Sequence, residues 1–307
     1  MFKNQTAKAA TLRSAAFLAS ILAGWCFATP ASAHGVAGDR FFPATIATDD
    51  PAIADELSLP SLSHLDHETE IAGEYSKRIT AQLGLSIEGA WTHAAEGGDT
   101  LEGFQNFETT LKWQFLTSAA HEAILAAGVG VEWGASGAAR IGAEETTMVT
   151  PRLYFGKGFG DLPDSANWAR PLAVTGLVGY SVPTEAHNHS GEANPYSIVG
   201  GLSLQYSVPY LTSHIRDHDW PEWVNRLTPL VEIAFERPVR HAHGEGATGT
   251  INPGLLWTGR RVQLGAEAIV PMNDESGDHA GWTVQAHFFL DDLFAHSIGR
   301  PLFGARP

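Results

Sequence analysis

One cysteine, Cys26, and three methionines are all the sulfur that 307 residues carry. With a single thiol there is no intrachain disulfide, so stability has to come from backbone pairing and packing. Basic residues are scarce as well, with 19 Lys and Arg facing 34 Asp and Glu. That balance excludes a nucleic-acid binder, which needs a basic surface. Long apolar runs are also missing. No stretch approaches the ~18 residues of a membrane helix.

The most apolar stretch, Ala15 to Ala28, belongs to a segment that reads as a secretory signal. Lys3, Lys8 and Arg13 make a basic start, no acidic residue precedes the cut, and Ala31-Ser32-Ala33 is an A-x-A peptidase site. Trp25 precedes Cys26 where a lipoprotein would place a small residue. Cleavage after Ala33 leaves 274 residues without cysteine; loss of the three basic residues leaves 16 against 34 acids, a formal −18. The chain is expected to be exported and to contain no membrane helix. An outer-membrane β-barrel and a soluble periplasmic β-domain fit those terms.

What is present is alternation of period two, which puts successive side chains on opposite faces of a strand. Leu83, Leu85, Ile87 and Trp91 oppose Gln82, Ser86 and Glu88. Phe107, Thr109, Leu111, Trp113 and Phe115 oppose Glu108, Thr110, Lys112 and Gln114. Leu125 to Trp133 sets Val129 and Val131 against Gly128, Gly130 and Glu132, and Val149 to Phe155 sets Leu153 against Arg152 and Tyr154. Further runs follow: Leu172–Val182, Leu202–Val208 around Ser203 and Gln205, and Val231–Phe235 around Glu232 and Glu236. The last three are Ile251–Trp257, Val262–Val270 around Gln263 and Glu267, and Trp282–Leu290 around His287. These ten runs span roughly 6 to 11 residues, against the about 9 to 11 that a tilted strand needs to cross hydrocarbon.

Charged residues opposite aromatic ones favour the barrel over a soluble sandwich. So does the clustering of aromatics at strand ends: Trp91, Trp133, Tyr180, Phe235 and Trp282 on one rim, Phe115, Phe155, Tyr206, Trp257 and Phe288 on the other. Segments 93–103, 134–145, 183–195, 238–248 and 272–280, rich in Gly, His and acids, are assigned to the outside. The reading is all-β: a transmembrane antiparallel up-and-down β-barrel with a signal peptide over 1–33, an N-terminal segment 34–67 that is plug or first strand, and the barrel over 68–307. Thr69–Thr80 is an eleventh strand. Even strand counts require it to have a partner, taken as Arg40 to Thr48. Twelve strands is the favoured count, and ten with an N-terminal plug is the alternative.

Five pieces carry a family resemblance: Arg40-Phe41-Phe42-Pro43-Ala44-Thr45, Ala54-Asp55-Glu56-Leu57-Ser58-Leu59-Pro60, Glu74-Tyr75-Ser76-Lys77-Arg78-Ile79-Thr80, Phe155 to Pro163, and Ile298-Gly299-Arg300-Pro301. The chain resembles Gram-negative outer-membrane barrels labelled transporters, and is distantly similar to barrels of the MetA pathway of phenol degradation. The resemblance implies the fold and a place in the outer membrane; its motifs are turns and strand edges, and no functional residue carries over from it.

Candidate site residues follow from the parity. Glu88, Glu108, Glu132, Glu232, Glu236 and Glu267 face the lumen against Lys112 and Arg152, with Gln205 and Gln263 beside them. A charged ring around a wet pore selects ions of opposite sign; in a small filled barrel the same residues neutralise one another. Paired imidazoles near carboxylates suit a divalent metal: His187 and His189 in one loop, His241 and His243 in another, and His34 at the mature N-terminus. Otherwise no cofactor is expected. A lipid-acting enzyme needs a serine and a base within hydrogen-bond reach; Ser207 and His287 share the inner face, but nothing in the sequence makes them neighbours, and no catalytic residue is assigned. The expected function is a passive or facilitated channel for small solutes, cation-preferring. The alternatives are a structural or surface-binding barrel with a filled lumen, or metal binding at the His-rich loops. Implied partners are outer-membrane lipid and lipopolysaccharide, the barrel assembly machinery and an unidentified small solute.

Overall fold

The computed structural model describes residues 35–96, 99–242, 244 and 246–304. A short hairpin, β1 (Val36–Ala37) and β2 (Arg40–Phe41), precedes the main sheet. That sheet starts with β3 (Glu56–Leu65), β4 (Glu68–Arg78), β5 (Leu83–Glu96), β6 (Asp99–Phe104) and β7 (Glu108–Ser118). It continues through β8 (Ala123–Glu132), β9 (Met148–Gly158), β10 (Leu172–Pro183), β11 (Tyr196–Tyr206) and β12 (Leu227–Arg240). β13 (Thr248–Thr258), β14 (Val262–Pro271) and β15 (Gly281–Phe289) complete it. Every neighbour is antiparallel and sequential, and β15 pairs with β3, which closes the sheet on itself. Closure removes the long edges of the main sheet, and β6, paired only with β5 among the described residues, keeps a short one.

β6 and β7 are two pieces of one barrel strand. Both pair with β5, β6 through Trp91↔Phe104 and β7 through Glu88↔Glu108. Four residue steps on one side face three on the other, a one-residue bulge at Gln105–Phe107. Its free polar groups are met by the next loop: Ala138 N–H donates to the Phe104 carbonyl at 2.8 Å, and Gly137 N–H to Asn106 Oδ1 at 2.9 Å. Counted this way, the barrel has twelve strands.

The alternation holds strand after strand. Leu85, Leu111, Val129, Leu153, Val178, Leu202, Val231, Leu255, Leu264 and Val284 are exposed on the outer face, while Tyr154, Thr175, Ser203, Gln205, Glu232, Gln263 and His287 are buried within. A closed barrel whose outer belt is apolar and whose inner face is polar fits lipid hydrocarbon, where all backbone groups must pair within the sheet. Two outer-face assignments fail at strand ends. Val208 and Leu290 lie past the ends of β11 and β15, where short helical turns at 208–215 and 290–293 rotate them into buried positions.

Segment 34–67 divides. Residues 56–65 form the first barrel strand, and 35–55 lie inside the barrel. The expected pairing of Thr69–Thr80 with Arg40–Thr48 is therefore wrong: β4 pairs with β3 instead. The reason is Pro60. It lacks an N–H and sits where the β3 register slips between Ser58 and Ser61. The slip moves the outward set from Leu57 and Leu59 to Leu62 and His64, so the alternation on either side does not read as one run. Segment 93–103, expected to be an outer loop, is mostly strand, because β5 runs to Glu96 and β6 begins at Asp99.

The inner segment enters at the rim where the C-terminal residues also lie, here the terminal rim; loops 133–147, 184–195 and 272–280 mark the opposite loop rim. Phe42 packs with Ala37, Ile124 and Ala173 in one buried cluster. At mid-barrel Thr48 approaches Gly201, where a Cβ would come within 2.9 Å of the Thr48 Cβ. The chain then returns, with Pro51 over Gly156, where a Cβ would meet it at 3.0 Å. These glycines make the room the segment occupies.

Candidate functional site

Polar contacts hold the inner segment at three levels. At the terminal rim the guanidinium of Arg40, fully buried, pairs with Glu122 at 3.1 Å, donates to the carbonyls of Arg170 and Pro171, and lies 3.9 Å from the Tyr210 ring centroid. At mid-barrel Glu232 accepts the N–H groups of Ile46 and Ala47 and the hydroxyl of Thr48, and Gln263 Nε2 donates to the Ala44 carbonyl at 2.7 Å. On the way back Lys112 Nζ pairs with Asp49 Oδ1 at 2.6 Å, and Asp55 is held by Lys77 at 2.6 Å and Arg78 at 2.7 Å. Lys77 also donates to the carbonyls of Ile298 and Arg300, so the C-terminal residues close over the same end.

What the segment leaves open is one side of the lumen. A cavity of about 370 Å³ runs along the inner faces of β3, β4, β5 and β15, from Lys77 and Gly84 up to Ser63 and Glu70. A second cavity of about 790 Å³ continues to the loop rim, sharing Ser63, Glu70, Asn252 and Ile269 with the first. The first is lined by Asp49, Asp50, Glu56, Glu70, Glu74 and Glu88 against Lys77, Lys112 and His287. The second is lined by Asp66, Glu68, Glu70, Asp274, Glu275 and Asp278, with His67 and, among the described residues, no Lys or Arg. Both lysines of the first cavity are already committed to Asp49 and Asp55.

Sheet register adds a row of carboxylates. Glu74 lies opposite Glu88, Glu88 opposite Glu108, and Glu108 opposite Glu132, four adjacent strands at one level. Arg152 meets Glu108 at 2.6 Å, Asn106 donates to Glu132 at 2.9 Å, and Ser76 to Glu74 at 2.8 Å.

Of the ten residues expected to line the lumen, Glu88 and Lys112 line the first cavity. Glu108 and Arg152 are spent on each other. Glu232 and Gln263 hold the inner segment, and Gln205 is packed, donating to Thr175 and Ser203 at 3.3 Å each. Glu267 is buried, and Glu236 is exposed near the loop-rim end of β12. Sequence reasoning passed over Asp49, Asp50, Glu56, Glu70 and Glu74. For the last two the signal was present, since Glu68, Glu70 and Glu74 recur at even spacing on β4.

The histidine assignments do not converge. His187 bridges to Ala193, His189 Nδ1 contacts Glu145, and the His241 ring lies 6.1 Å from that of Tyr196. His34 and His243 lie outside the described residues. Among the described residues no three His, Cys, Asp or Glu side chains are grouped to hold a metal. The hydrogen bond that His189 donates to the Glu145 carboxylate raises the His189 pKa above its ordinary value.

Ser207 and His287 are not partners. Ser207 Oγ accepts from the Tyr210 N–H, capping the helical turn. His287 Nδ1 instead meets its register partner Ser58 at 2.7 Å, and Nε2 lies 3.2 Å from Glu56. Ser58 and His287 form a cross-strand hydrogen-bonded pair, with the Glu56 carboxylate within ion-pair distance of the ring.

The fold and lumen define a closed twelve-stranded transmembrane barrel with an inner segment and two adjoining cavities lined by carboxylates. No family model and no curated protein matches the chain. Among solved structures, a KdgM porin is 12% identical over 76% of this chain and 98% of that one, with a TM-score of 0.47. A NanC porin is 11% identical over 76% and 98%, with a TM-score of 0.49. The resemblance to MetA-pathway barrels has no counterpart among these matches.

Proposed function

We propose that this protein is a passive channel of the Gram-negative outer membrane that admits small solutes and prefers cations, without enzymatic activity. One observation carries the reading: the two adjoining cavities form a path from the loop rim almost to Lys77 and Arg78, and carboxylates dominate its walls. Low-dielectric walls focus that potential onto the water, which raises the local concentration of cations and lowers that of anions. The apolar outer belt supplies the membrane assignment, and the long acidic loops are placed outside, toward lipopolysaccharide. The test is conductance in a planar bilayer, with the reversal potential measured across a KCl gradient. Cation selectivity supports the proposal, and anion selectivity ends it.

A second reading, a barrel with a filled lumen, is favoured by the closure at the terminal rim. There Lys77, Asp55, Arg78 and the carbonyls of Ile298 and Arg300 interlock. Absence of any conductance from correctly folded protein selects this reading.

A further inference from the structure

Beside the cavity-lining strands, three oxygen-bearing side chains meet on β12, β13 and β14, the last paired with β15. Glu232 on β12 and Asn252 on β13 are register partners, and Glu267 on β14 faces Gly254, two residues further along β13. Their relative exposures are 0%, 3% and 4%. Glu232 is supplied with donors by Ile46, Ala47 and Thr48 of the inner segment. Glu267 is not: neither carboxylate oxygen has a hydrogen-bond donor among the described residues, and neither does Asn252 Oδ1. The groups beside Glu267 are Glu232, another carboxylate, and the side-chain amide of Asn252.

A buried carboxylate beside a second one, with one amide and, among the described residues, no basic side chain next to it, is among the most expensive arrangements in a protein interior. It must be neutralised by a proton or by a cation. The donor set is two carboxylates and an amide carbonyl, all hard oxygens. Such a set suits calcium or magnesium and not the imidazole- or thiolate-seeking metals. Rigid strand positions that leave little room for retained water fit the longer, more adaptable bonds of calcium. Asn252 also lines both cavities, so an ion reaches the cluster from lumen water. We propose that Glu267, Glu232 and Asn252 form a binding site for a hard divalent cation of the calcium class. The site needs water in the lumen but not conduction, and so stands apart from the channel reading.

The experiment is thermal unfolding of the full-length folded protein in detergent, stripped with chelator and titrated with CaCl2. Extracellular calcium sites reach dissociation constants of about 1 mM, so about 10 mM CaCl2 should raise the melting temperature by about 3–6 °C. Glu267→Gln should abolish the shift. Asn252→Ala, which keeps both carboxylates, should reduce it, and serves as the test if the Gln variant fails to assemble. An unchanged shift in both variants would place the calcium on the acidic loops and overturn the proposal. So would a wild type indifferent to calcium, as expected if the two carboxyls share a proton; Glu267→Gln would then be neutral or stabilising.

Discussion

Replacing Glu88 with Gln should make the barrel more stable and less cation-selective at once. Glu88 is flanked through sheet register by Glu74 and Glu108, and among the described residues no hydrogen bond or ion pair relieves it. Two unit charges about 5 Å apart repel by about 0.8 kcal/mol at the permittivity of water. Measured like-charge cross-strand pairs fall in the same range, about 0.2–1 kcal/mol. Arg152, 2.6 Å from Glu108, already offsets one of the two neighbours. The net gain should be about 0.5–1.5 kcal/mol, or about 1–5 °C in melting temperature. The assay is the temperature at which the folded, fast-migrating band converts to the unfolded one, in low salt and in 1 M KCl. At 1 M the screening length falls to about 3 Å, shorter than the pair separation, so the gain should vanish there. The reversal potential across a KCl gradient should move toward zero in the same variant. A loss of stability, or a gain indifferent to salt, would refute the reasoning, because either outcome means Glu88 is held by something other than its acidic neighbours.

Leu202→Arg, on the outer face at the middle of β11, should cost about 2–4 kcal/mol and reduce the assembled fraction, whereas Ser86→Arg in the acidic cavity should assemble normally. Equal assembly of the two would show the inside and outside of the wall to be misassigned. Arg40→Ala strands the buried Glu122 and should cost about 3–5 kcal/mol, read as proteolysis of residues 35–55 in an otherwise intact barrel; adding Glu122→Gln should recover part of the loss. The pKa of His189 is raised above 6.5 by its hydrogen bond and attraction to Glu145, so its tie between loops 133–147 and 184–195 is intact below pH 6.5 and is lost as pH rises through the raised value. Hydrogen exchange in 184–195 should therefore be faster at pH 8 than at pH 6, and His189→Gln should remove the difference.

Most of the wall was legible in the sequence. Leu125 to Glu132 or Val262 to Val270 declare their faces through local alternation, because the period of two belongs to the extended backbone and not to its neighbours. β3 was not legible, since the slip at Pro60 splits one strand into two fragments of opposite parity. The candidate site was legible only as a set of inward charges. Lys112 reads as a lumen cation, yet its charge is spent on Asp49, 63 positions earlier in the chain. Arg152, by contrast, bridges to Glu108, two strands away on the same wall.

The sequence by itself determined which residues face lipid and which face inward, that the count of strands is even and high, and that the interior is acidic. These follow from side-chain periodicity and composition, which need no knowledge of distant contacts. Only the tertiary structure decided the rest. Closure through β15 and β3 made residues 56–65 wall and freed 35–55 to fold into the lumen, because a barrel has one first strand and the chain before it must go in or out. Register then set Glu74, Glu88, Glu108 and Glu132 side by side and brought Glu267 against Glu232. Both alignments join residues far apart in the chain, where no local pattern can say which carboxylates will share a level.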